Sequence, residues 1–315
     1  MADIEDERLT QKMALLNEEI PFLRGKELVW SQLFGGLAHV TFLVTTADGD
    51  RYVVKFLTQE MDDFGLMIPI VDLIRNTIAA GDSGVGARVL HSMVDVPAMV
   101  LEYIDGVTLT PAELSLPGNI PRLGAAVREL HDGASRMNNE IDIFKFLNDY
   151  LQLVEKFKLT TPDGLLDSLP LIRNIENALA HNLMPPVPSN NDLLARNVMD
   201  DGRIRLIDYD FSGMNDPMFD VGDLAMEGDF NADQTARLCE AYFGRIDHVQ
   251  YARARLYGIC AQYTWALLFL GMGALLSDMP DQTFDYYAEA ESRWKWTGNK
   301  LAADDLAEII AAASS

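Results

Sequence analysis

The stretch "SNNDLLARNVMDDGRIRLIDYD", residues 189–210, is a polar loop followed by two short apolar runs that are joined at "DDGR". Asp192 lies in the loop, Asn197 follows it five positions later, and Asp208 ends the second apolar run. A loop carboxylate can orient an attacking hydroxyl, and amide and carboxylate oxygens are ligands that suit Mg²⁺. The spacing therefore predicts a phosphoryl-transfer site in which Asp192 handles the hydroxyl and Asn197 and Asp208 hold the metal.

The first hundred residues contain candidates for the remaining parts of such a site. Gly35 and Gly36 lie in the turn between two β-rich runs, where backbone N–H groups can approach phosphate oxygens. Lys55 lies in the third run, "RYVVKFL", and is expected to point toward the nucleotide phosphates. The connector around Glu102 and Ile104 is expected to bind adenine through its backbone. Each of these signals is weak alone, but their order along the chain is a strong one.

Strand and helix patterns divide the chain into two parts. β-rich runs cover residues 27–34, 40–46, 51–57, 87–92 and 97–104, with a helical pattern over 67–81. Amphipathic helical patterns dominate afterwards, over 120–134, 143–157 and 167–183. We predict an α+β fold with an N-terminal lobe, residues 1–103, that carries a five-stranded antiparallel sheet, one helix and a leading helix over 1–26. A mostly helical lobe, residues 104–315, is expected to carry the catalytic loop and the substrate pocket.

The composition narrows the possible partners. Twenty-five basic against 48 acidic residues give a net charge of −23, which disfavours nucleic acid and anionic membranes and suits a cationic small molecule. The acidic N-terminus is not a signal peptide, and the longest apolar run, residues 265–276, is too short to span a bilayer. Two cysteines in helical segments suit a reducing compartment. A cytoplasmic location is therefore expected, and a homodimer is left open.

Beyond these patterns, roughly residues 25 to 296 resemble the bacterial choline/ethanolamine kinases. These belong to the aminoglycoside-phosphotransferase-like group, which has a protein-kinase-like fold. The resemblance rests on the loop of residues 189–210, on "MFDVGDLAME" after it, and on "GGLAHVTFLV" and Lys55 before it. It also extends to "QYTWALLFL" and "TFDYYAEAESRW" downstream.

The resemblance implies an ATP- and Mg²⁺-dependent kinase that phosphorylates the hydroxyl of a small cationic alcohol, choline or ethanolamine first. It implies that Asp192 is the catalytic base, that Asn197 and Asp208 are metal ligands, and that Asp210 lies near the metal. It further implies that Asp220 stabilises the catalytic loop. For the substrate's ammonium group it implies a site made by a carboxylate and aromatic faces, namely Glu227, Trp265 and Tyr286. For the two aromatic residues, core packing on amphipathic helices is an equally good interpretation.

The chain departs from the family pattern at three places. Asn190 stands where the family usually has a histidine that braces the catalytic loop, and we expect Asn to make part of that contact. The helix after Lys55 lacks the usual glutamate that pairs with the lysine, and Asp72 is its nearest replacement. Leu268 stands where a choline kinase has a second tryptophan, which thins the aromatic box and favours ethanolamine or another amino alcohol.

Two alternatives remain open at the level of sequence. A kinase of the same fold can act on another hydroxyl, such as that of an aminoglycoside or a sugar-like metabolite. A nucleotide-binding pseudokinase is motivated by Asn190 and by the missing helix glutamate, although Asp192, Asn197 and Asp208 are all present.

Overall fold

The computed structural model describes residues 2–34, 39–58, 66–276 and 284–315, with side chains described from residue 9 onward. The N-terminal part contains helix α1 (Ala2–Glu19), strands β1 (Leu28–Leu33), β2 (Val40–Thr46) and β3 (Arg51–Phe56), helix α2 (Ile70–Ser83), and strands β4 (Val89–Met93) and β5 (Ala98–Glu102). These strands form an antiparallel sheet in the order β1-β2-β3-β5-β4. The predicted five-stranded sheet with one helix inserted after its third strand is confirmed.

The two faces of this sheet are covered by different helices. Because side chains alternate along a strand, Val54 and Phe56 point to one face, where they pack with Ile20 at the end of α1. Lys55 lies between them and therefore points to the opposite face, the side on which Met99 packs against α2. This alternation places a lysine on the side of the sheet that faces the rest of the chain.

The predicted leading helix over 1–26 is too long, since α1 ends at Glu19. Pro21 explains the early end, because proline has no backbone N–H and the residue before it disfavours helical geometry. The chain continues in turns through Gly25, which has a positive φ of 72°.

The remaining residues are mostly helical. The helices are α3 (Pro111–Leu114), α4 (Ile120–Gly133), α5 (Ile143–Phe157), α6 (Leu169–Leu179), α7 (Pro217–Glu227), α8 (Ala232–Phe243), α9 (His248–Leu275), α10 (Tyr286–Leu301) and α11 (Leu306–Ser314). Short strands β6 (Val107–Thr108), β8 (Val198–Asp200) and β9 (Ile204–Leu206) form one small sheet, and β7 (Val187–Ser189) pairs with β10 (Gly213–Asn215). Strands β7 and β10 pair at the two ends of the stretch of residues 189–210, and β8 and β9 lie within it. The α+β, protein-kinase-like architecture is confirmed.

Helix α9 forms the centre of the helical part. By length and composition α9 could span a membrane, because its most apolar stretch of 18 residues has a mean hydropathy of 1.4. However, 83% of that stretch is buried inside the fold. It packs closely against α7, where Gly222 and Gly258 face each other. A side chain at Gly222 would overlap the backbone oxygen of Ala254. The two glycines therefore set the distance between the helix that follows the catalytic loop and the helix that carries Trp265.

We expect Gly222→Ala to destabilise the protein by at least about 2 kcal/mol, because a backbone oxygen cannot move aside as a side chain can. Gly298→Ala is the matched control: its new Cβ would lie 3.7 Å from Trp294, an ordinary contact, and alanine favours the helix. Thermal unfolding of both variants measures the difference. Equal melting temperatures would contradict the close packing at Gly222.

Candidate active site

The backbone of the loop that carries Asp192 is held by two aspartates of helix α7. The Asp220 carboxylate accepts the N–H groups of Asn190 and Asn191, at 2.9 and 2.8 Å, and also lies 3.0 Å from Nε2 of the buried His131. The Asp223 carboxylate accepts the N–H of Leu193 at 2.8 Å. Burial and the neighbouring Asp192 raise the pKa of Asp223. The loop around Asp192 is thereby fixed from behind by a rigid helix.

Asn190 makes the bracing contacts that the sequence left unsettled. Its side chain is fully buried, and its Nδ2 donates to the backbone oxygen of Asp208 at 2.7 Å, while its Oδ1 accepts the N–H of Asp192 at 3.0 Å. One amide therefore ties the loop that carries Asp192 to Asp208, two residues after the end of β9. Asp208 and Asn191 both have positive φ, 63° and 64°, a conformation that Asn and Asp tolerate better than most residues.

We expect Asn190→Ala to lower the free energy of unfolding by about 1–3 kcal/mol, because it strands buried backbone groups of Asp192 and Asp208. It should also lower kcat about tenfold, because Asp192 loses its fixed position. Asn190→His should restore most of both quantities. The measurement is thermal melting together with ATP turnover. An alanine variant with wild-type kcat would contradict the bracing role.

Lys55 connects the sheet to both aspartates of "IDYD". Its Nζ donates to Oδ1 of Asp208 at 2.7 Å and to Oδ1 of Asp210 at 2.5 Å. Burial and the adjacent Asp208 carboxylate raise the pKa of Asp210 to about 8. Burial opposes ionisation of Asp208 as well, but the charge of Lys55 and the hydrogen bonds from Asp210 and Lys55 together outweigh it and lower the pKa of Asp208. One lysine thus serves two neighbouring carboxylates, of which Asp210 is buried and Asp208 half-buried.

The two carboxylates suit a divalent cation, whose charge would favour the ionised form of Asp210. Asn197 donates its Nδ2 to the backbone oxygen of Asp192 at 2.8 Å, and its Oδ1 makes no hydrogen bond with the described residues. That oxygen and the carboxylates of Asp208 and Asp210 are the hard donors that Mg²⁺ prefers. Within the described part of the chain, no cluster of three or more His, Cys, Asp or Glu forms a metal cage. A Mg²⁺ site here needs the amide oxygen and the phosphate oxygens as well.

Asp192 is the third carboxylate of this region. Burial, and next the charge of Asp208, raise the pKa of Asp192 from its ordinary value of 3.8 to about 7. A carboxylate with such a pKa is able to accept a proton near neutral pH. The same shift means that the folded protein binds an extra proton between about pH 4 and pH 7.

We expect Asp192→Asn to raise the melting temperature at pH 8. In the wild type, the pKa of Asp192 is higher in the folded than in the unfolded state, so stability falls as the pH rises from about 4 to about 7. The amide that replaces the Asp192 carboxylate does not ionise, so this fall in stability is absent from the variant. The gain should shrink toward pH 5, where Asp192 of the wild type is mostly protonated. A gain that is constant from pH 5 to pH 8 would contradict the assigned shift.

A cavity of about 90 Å³ brings together five of the predicted residues, Lys55, Asp192, Asp208, Asp210 and Trp265. Its lining comprises His39, Thr41, Lys55, Leu66, Met67, Asp192, Leu194, Arg196, Asp208, Asp210, Phe211, Trp265, Leu268, Phe269, Met272 and Arg293. Trp265 is 3% exposed and packs against Phe211, with ring centroids 5.0 Å apart. The lysine and the two aspartates of "IDYD" therefore share one cavity with Asp192 and an aromatic wall.

Two predicted substrate residues lie outside this lining. Glu227 lines an adjacent cavity, and its Oε1 accepts the N–H of Ala195 at 3.0 Å. The two cavities share Leu194, Arg196 and Arg293. Tyr286 packs against Phe284 and Phe269, with centroids 4.9 and 6.4 Å away, so it supports the aromatic wall from behind.

The other residues that were predicted to bind the nucleotide have different surroundings in the structure. Within the described residues, the carboxylates that pair with Lys55 are Asp208 and Asp210 and do not include Asp72, which lies half-buried in the first turn of α2. Glu102 ends β5 and accepts from Arg205 at 2.7 Å. The backbone of Ile104 makes no hydrogen bond with the described residues, so it remains available to a ligand. Gly35 and Gly36 lie outside the described residues.

The structure adds residues that the sequence did not single out. Asn76, one turn after Asp72, donates to the backbone oxygen of Ser212 at 3.1 Å and so joins α2 to the segment after Asp210. His39 accepts the N–H of Thr58 with Nδ1 and has Nε2 3.7 Å from Asp210. Arg293 and Arg196 bring positive charge to the cavity. The partners of Asn76 and His39 are distant in sequence, so no local pattern marks these two residues.

The chain is similar to known proteins over this whole region. The family model described as the phosphotransferase enzyme family (APH) matches residues 29–257. Protein LicA of Haemophilus influenzae is 22% identical over 169 residues, which cover 51% of this chain and 50% of that protein. The chain thus spans about half the length of this curated relative.

Two solved structures extend the likeness to nearly the full chain. A choline/ethanolamine kinase family protein from Mesorhizobium loti has a TM-score of 0.83 and 28% identity, covering 97% of this chain and 99% of that one. The choline kinase LicA from Streptococcus pneumoniae has a TM-score of 0.73 and 22% identity, covering 93% and 99%. With a family model matching well over half of its residues, the chain belongs to the phosphotransferase enzyme family.

Proposed function

We propose that this protein is an ATP- and Mg²⁺-dependent kinase that phosphorylates the hydroxyl group of a small amino alcohol. The observation that carries the proposal is that Lys55, Asp208, Asp192 and Trp265 line one cavity. The first two provide a cation and a metal ligand for phosphate, the third provides a base, and the fourth provides an apolar wall. The neighbours from Mesorhizobium loti and Streptococcus pneumoniae, whose descriptions name choline or ethanolamine, agree with this class of acceptor.

Each residue has a distinct task in the proposed transfer. Lys55 holds Asp208 and Asp210 in place and offers its charge to the phosphates. Mg²⁺, when bound by Asn197 and Asp208, supplies positive charge that offsets the charge developing on the transferred phosphoryl group. Asp192 orients the acceptor hydroxyl and takes its proton as the oxygen attacks phosphorus. The backbone of Ile104, which makes no hydrogen bond with the described residues, supports binding of the adenine base at the connector after β5.

The acceptor end favours an amine over a trimethylammonium group. Leu268 lines the cavity where a choline kinase has a second tryptophan, so one cation–π face is absent. Glu227 lies on the adjacent cavity, and its Oε2 makes no hydrogen bond with the described residues, so it is available to an ammonium group. Ethanolamine therefore comes before choline in the proposal.

ADP release with Mg²⁺ and ATP tests the proposal against choline, ethanolamine, their N-methyl intermediates and several aminoglycosides. We expect turnover with a primary amino alcohol that exceeds turnover with every aminoglycoside. Turnover only with aminoglycosides would reject the substrate class. Binding of Mg²⁺-ATP without turnover of any alcohol in this panel would reject these substrate classes and leave an acceptor outside the panel or a nucleotide-binding pseudokinase.

A further inference from the structure

Arg293 occupies a place in the cavity where a cationic substrate would be expected. Its guanidinium carbon lies 4.9 Å from the centroid of the Phe269 ring, and its side chain is 11% exposed. It reaches there from helix α10, while Phe269 belongs to α9. The protein's own cation therefore covers an aromatic face of the acceptor region.

This guanidinium is held in position and has donors to spare. Its Nε donates to Oε1 of Glu289 and its Nη1 to Oε1 of Gln262, both at 2.8 Å. Its Nη2 makes no hydrogen bond with the described residues. Arginine has five N–H donors in a planar arrangement that matches the oxygens of a carboxylate. Because Nε and Nη1 fix the guanidinium of Arg293 and Nη2 has no partner among the described residues, Nη2 is a suitable donor to an acidic group on the substrate.

Trp265 contributes a second unused donor. Its Nε1 is buried and has no hydrogen-bond partner among the described residues, although the side chain lines the same cavity. An indole N–H can only donate, and a buried donor without an acceptor is unfavourable. A trimethylammonium group has no acceptor atom to offer it, whereas a carboxylate has.

The charged side chains around the two cavities also favour a substrate that carries an acidic group. Arg196 and Arg293 both line the cavity that contains Asp192, and both also line the adjacent cavity that contains Glu227. A substrate that carries only positive charge would meet Arg196 and Arg293 there, although Glu289, which also lines the adjacent cavity, pairs with Arg293. A zwitterion meets an opposite charge for each of its groups, with Glu227 for an ammonium and Arg293 for a carboxylate.

We propose that the acceptor is an amino alcohol that also carries a carboxylate, that is, a hydroxy amino acid. This inference rests on the proposed kinase function and narrows its substrate. Arg293 and the indole N–H of Trp265 bind the carboxylate, Glu227 binds the amine, and Asp192 faces the hydroxyl. The hydroxyl oxygen forms a bond to the γ-phosphorus, the bond from that phosphorus to the β–γ bridging oxygen breaks, ADP leaves, and the hydroxyl proton passes to Asp192.

Matched pairs of alcohols that differ only by one carboxylate test the proposal. Serine is compared with ethanolamine, homoserine with 3-aminopropan-1-ol, and threonine with 1-aminopropan-2-ol, each by kcat/KM at saturating Mg²⁺-ATP. We expect at least one acid to exceed its parent amine by about 100-fold, because a site built for a polar group rejects the analogue that lacks it. Parent amines that equal or exceed the acids in all three pairs would overturn the inference and leave the proposed kinase function intact.

Two variants assign the preference to its residues. Arg293→Met should reduce the acid-to-amine ratio of kcat/KM to near one, and Trp265→Phe should reduce it about tenfold. Arg237→Met is the matched control, since Arg237 is a helical arginine that pairs with an acid four residues earlier, Asp233, on the exposed surface. The control should keep the wild-type ratio. An unchanged ratio in Arg293→Met would overturn the assignment.

A binding measurement separates the failure of this inference from the failure of the kinase proposal. Calorimetric titration of the wild type with homoserine and with 3-aminopropan-1-ol, in the presence of Mg²⁺ and a non-hydrolysable ATP analogue, does not depend on turnover. Tighter binding of homoserine that is lost in Arg293→Met supports the inference even when no alcohol is phosphorylated. Equal binding of both alcohols overturns it.

Discussion

Asp192→Ala should lower kcat by about 10³-fold, in the range expected when a positioned general base is removed. The reason is that this variant lacks the group that orients the acceptor hydroxyl and takes its proton. Binding of Mg²⁺-ATP should change little, since Lys55, Asn197 and Asp208 remain. Steady-state ADP release and calorimetric titration with Mg²⁺-ATP measure the two effects separately.

The control for this variant is Asp233→Ala. Asp233 is an exposed helix aspartate that pairs with Arg237, so its removal should leave both quantities unchanged. The melting temperature of Asp192→Ala should equal or exceed that of the wild type, because a buried carboxylate with a raised pKa is lost. A variant that keeps wild-type kcat would remove Asp192 from the assigned role.

Lys55→Met should lower kcat/KM by about 10²–10³-fold and destabilise the fold by about 3–5 kcal/mol, because it leaves the buried Asp210 and the half-buried Asp208 without their cation. Without Lys55 the pKa values of Asp208 and Asp210 rise in the folded state. The loss of stability should therefore be larger at pH 8 than at pH 5, where the folded variant takes up protons. Thermal melting at both pH values and kinetics with Mg²⁺-ATP measure these effects.

Lys26→Met is the control for the loss of a lysine in the same sheet region. Lys26 pairs with Asp48 and Asp50 at the surface, where such pairs contribute little. The melting temperature of Lys26→Met should therefore lie within about a degree of that of the wild type. If Lys55→Met behaves like Lys26→Met, the central ion pair of the site has no role in stability or in nucleotide use.

Local patterns explain why much of the fold could be predicted. The alternation of Val54 and Phe56 with Lys55 identifies β3 and the face of its lysine, and helical spacing identifies α4 and α5 within a residue or two. The spacing of Asp192, Asn197 and Asp208 is likewise local, because a loop and a short hairpin fix it. The structure brings those three residues to one place.

Long-range contacts explain why other parts of the site could not be predicted. Asn76 contacts a backbone oxygen 136 residues away. Arg293 of α10 contacts Gln262 of the neighbouring helix α9. Helical periodicity also cannot tell whether an aromatic residue lines a cavity or supports its wall. Tyr286 supports the wall, whereas Trp265, from the same kind of pattern, lines the cavity.

The central claim is that the protein uses Asp192, Asn197 and Asp208 to catalyse transfer of the γ-phosphate of ATP to an alcohol. The most direct measurement is mass spectrometry of the acceptor after incubation with Mg²⁺ and ATP labelled with ¹⁸O in the γ-phosphoryl group, for the wild type and for Asp208→Asn. We expect a labelled phosphate monoester of the amino alcohol with the wild type, and none without Mg²⁺ or with the variant. ADP formed with only labelled inorganic phosphate would contradict the claim, since the γ-phosphate would then pass to water.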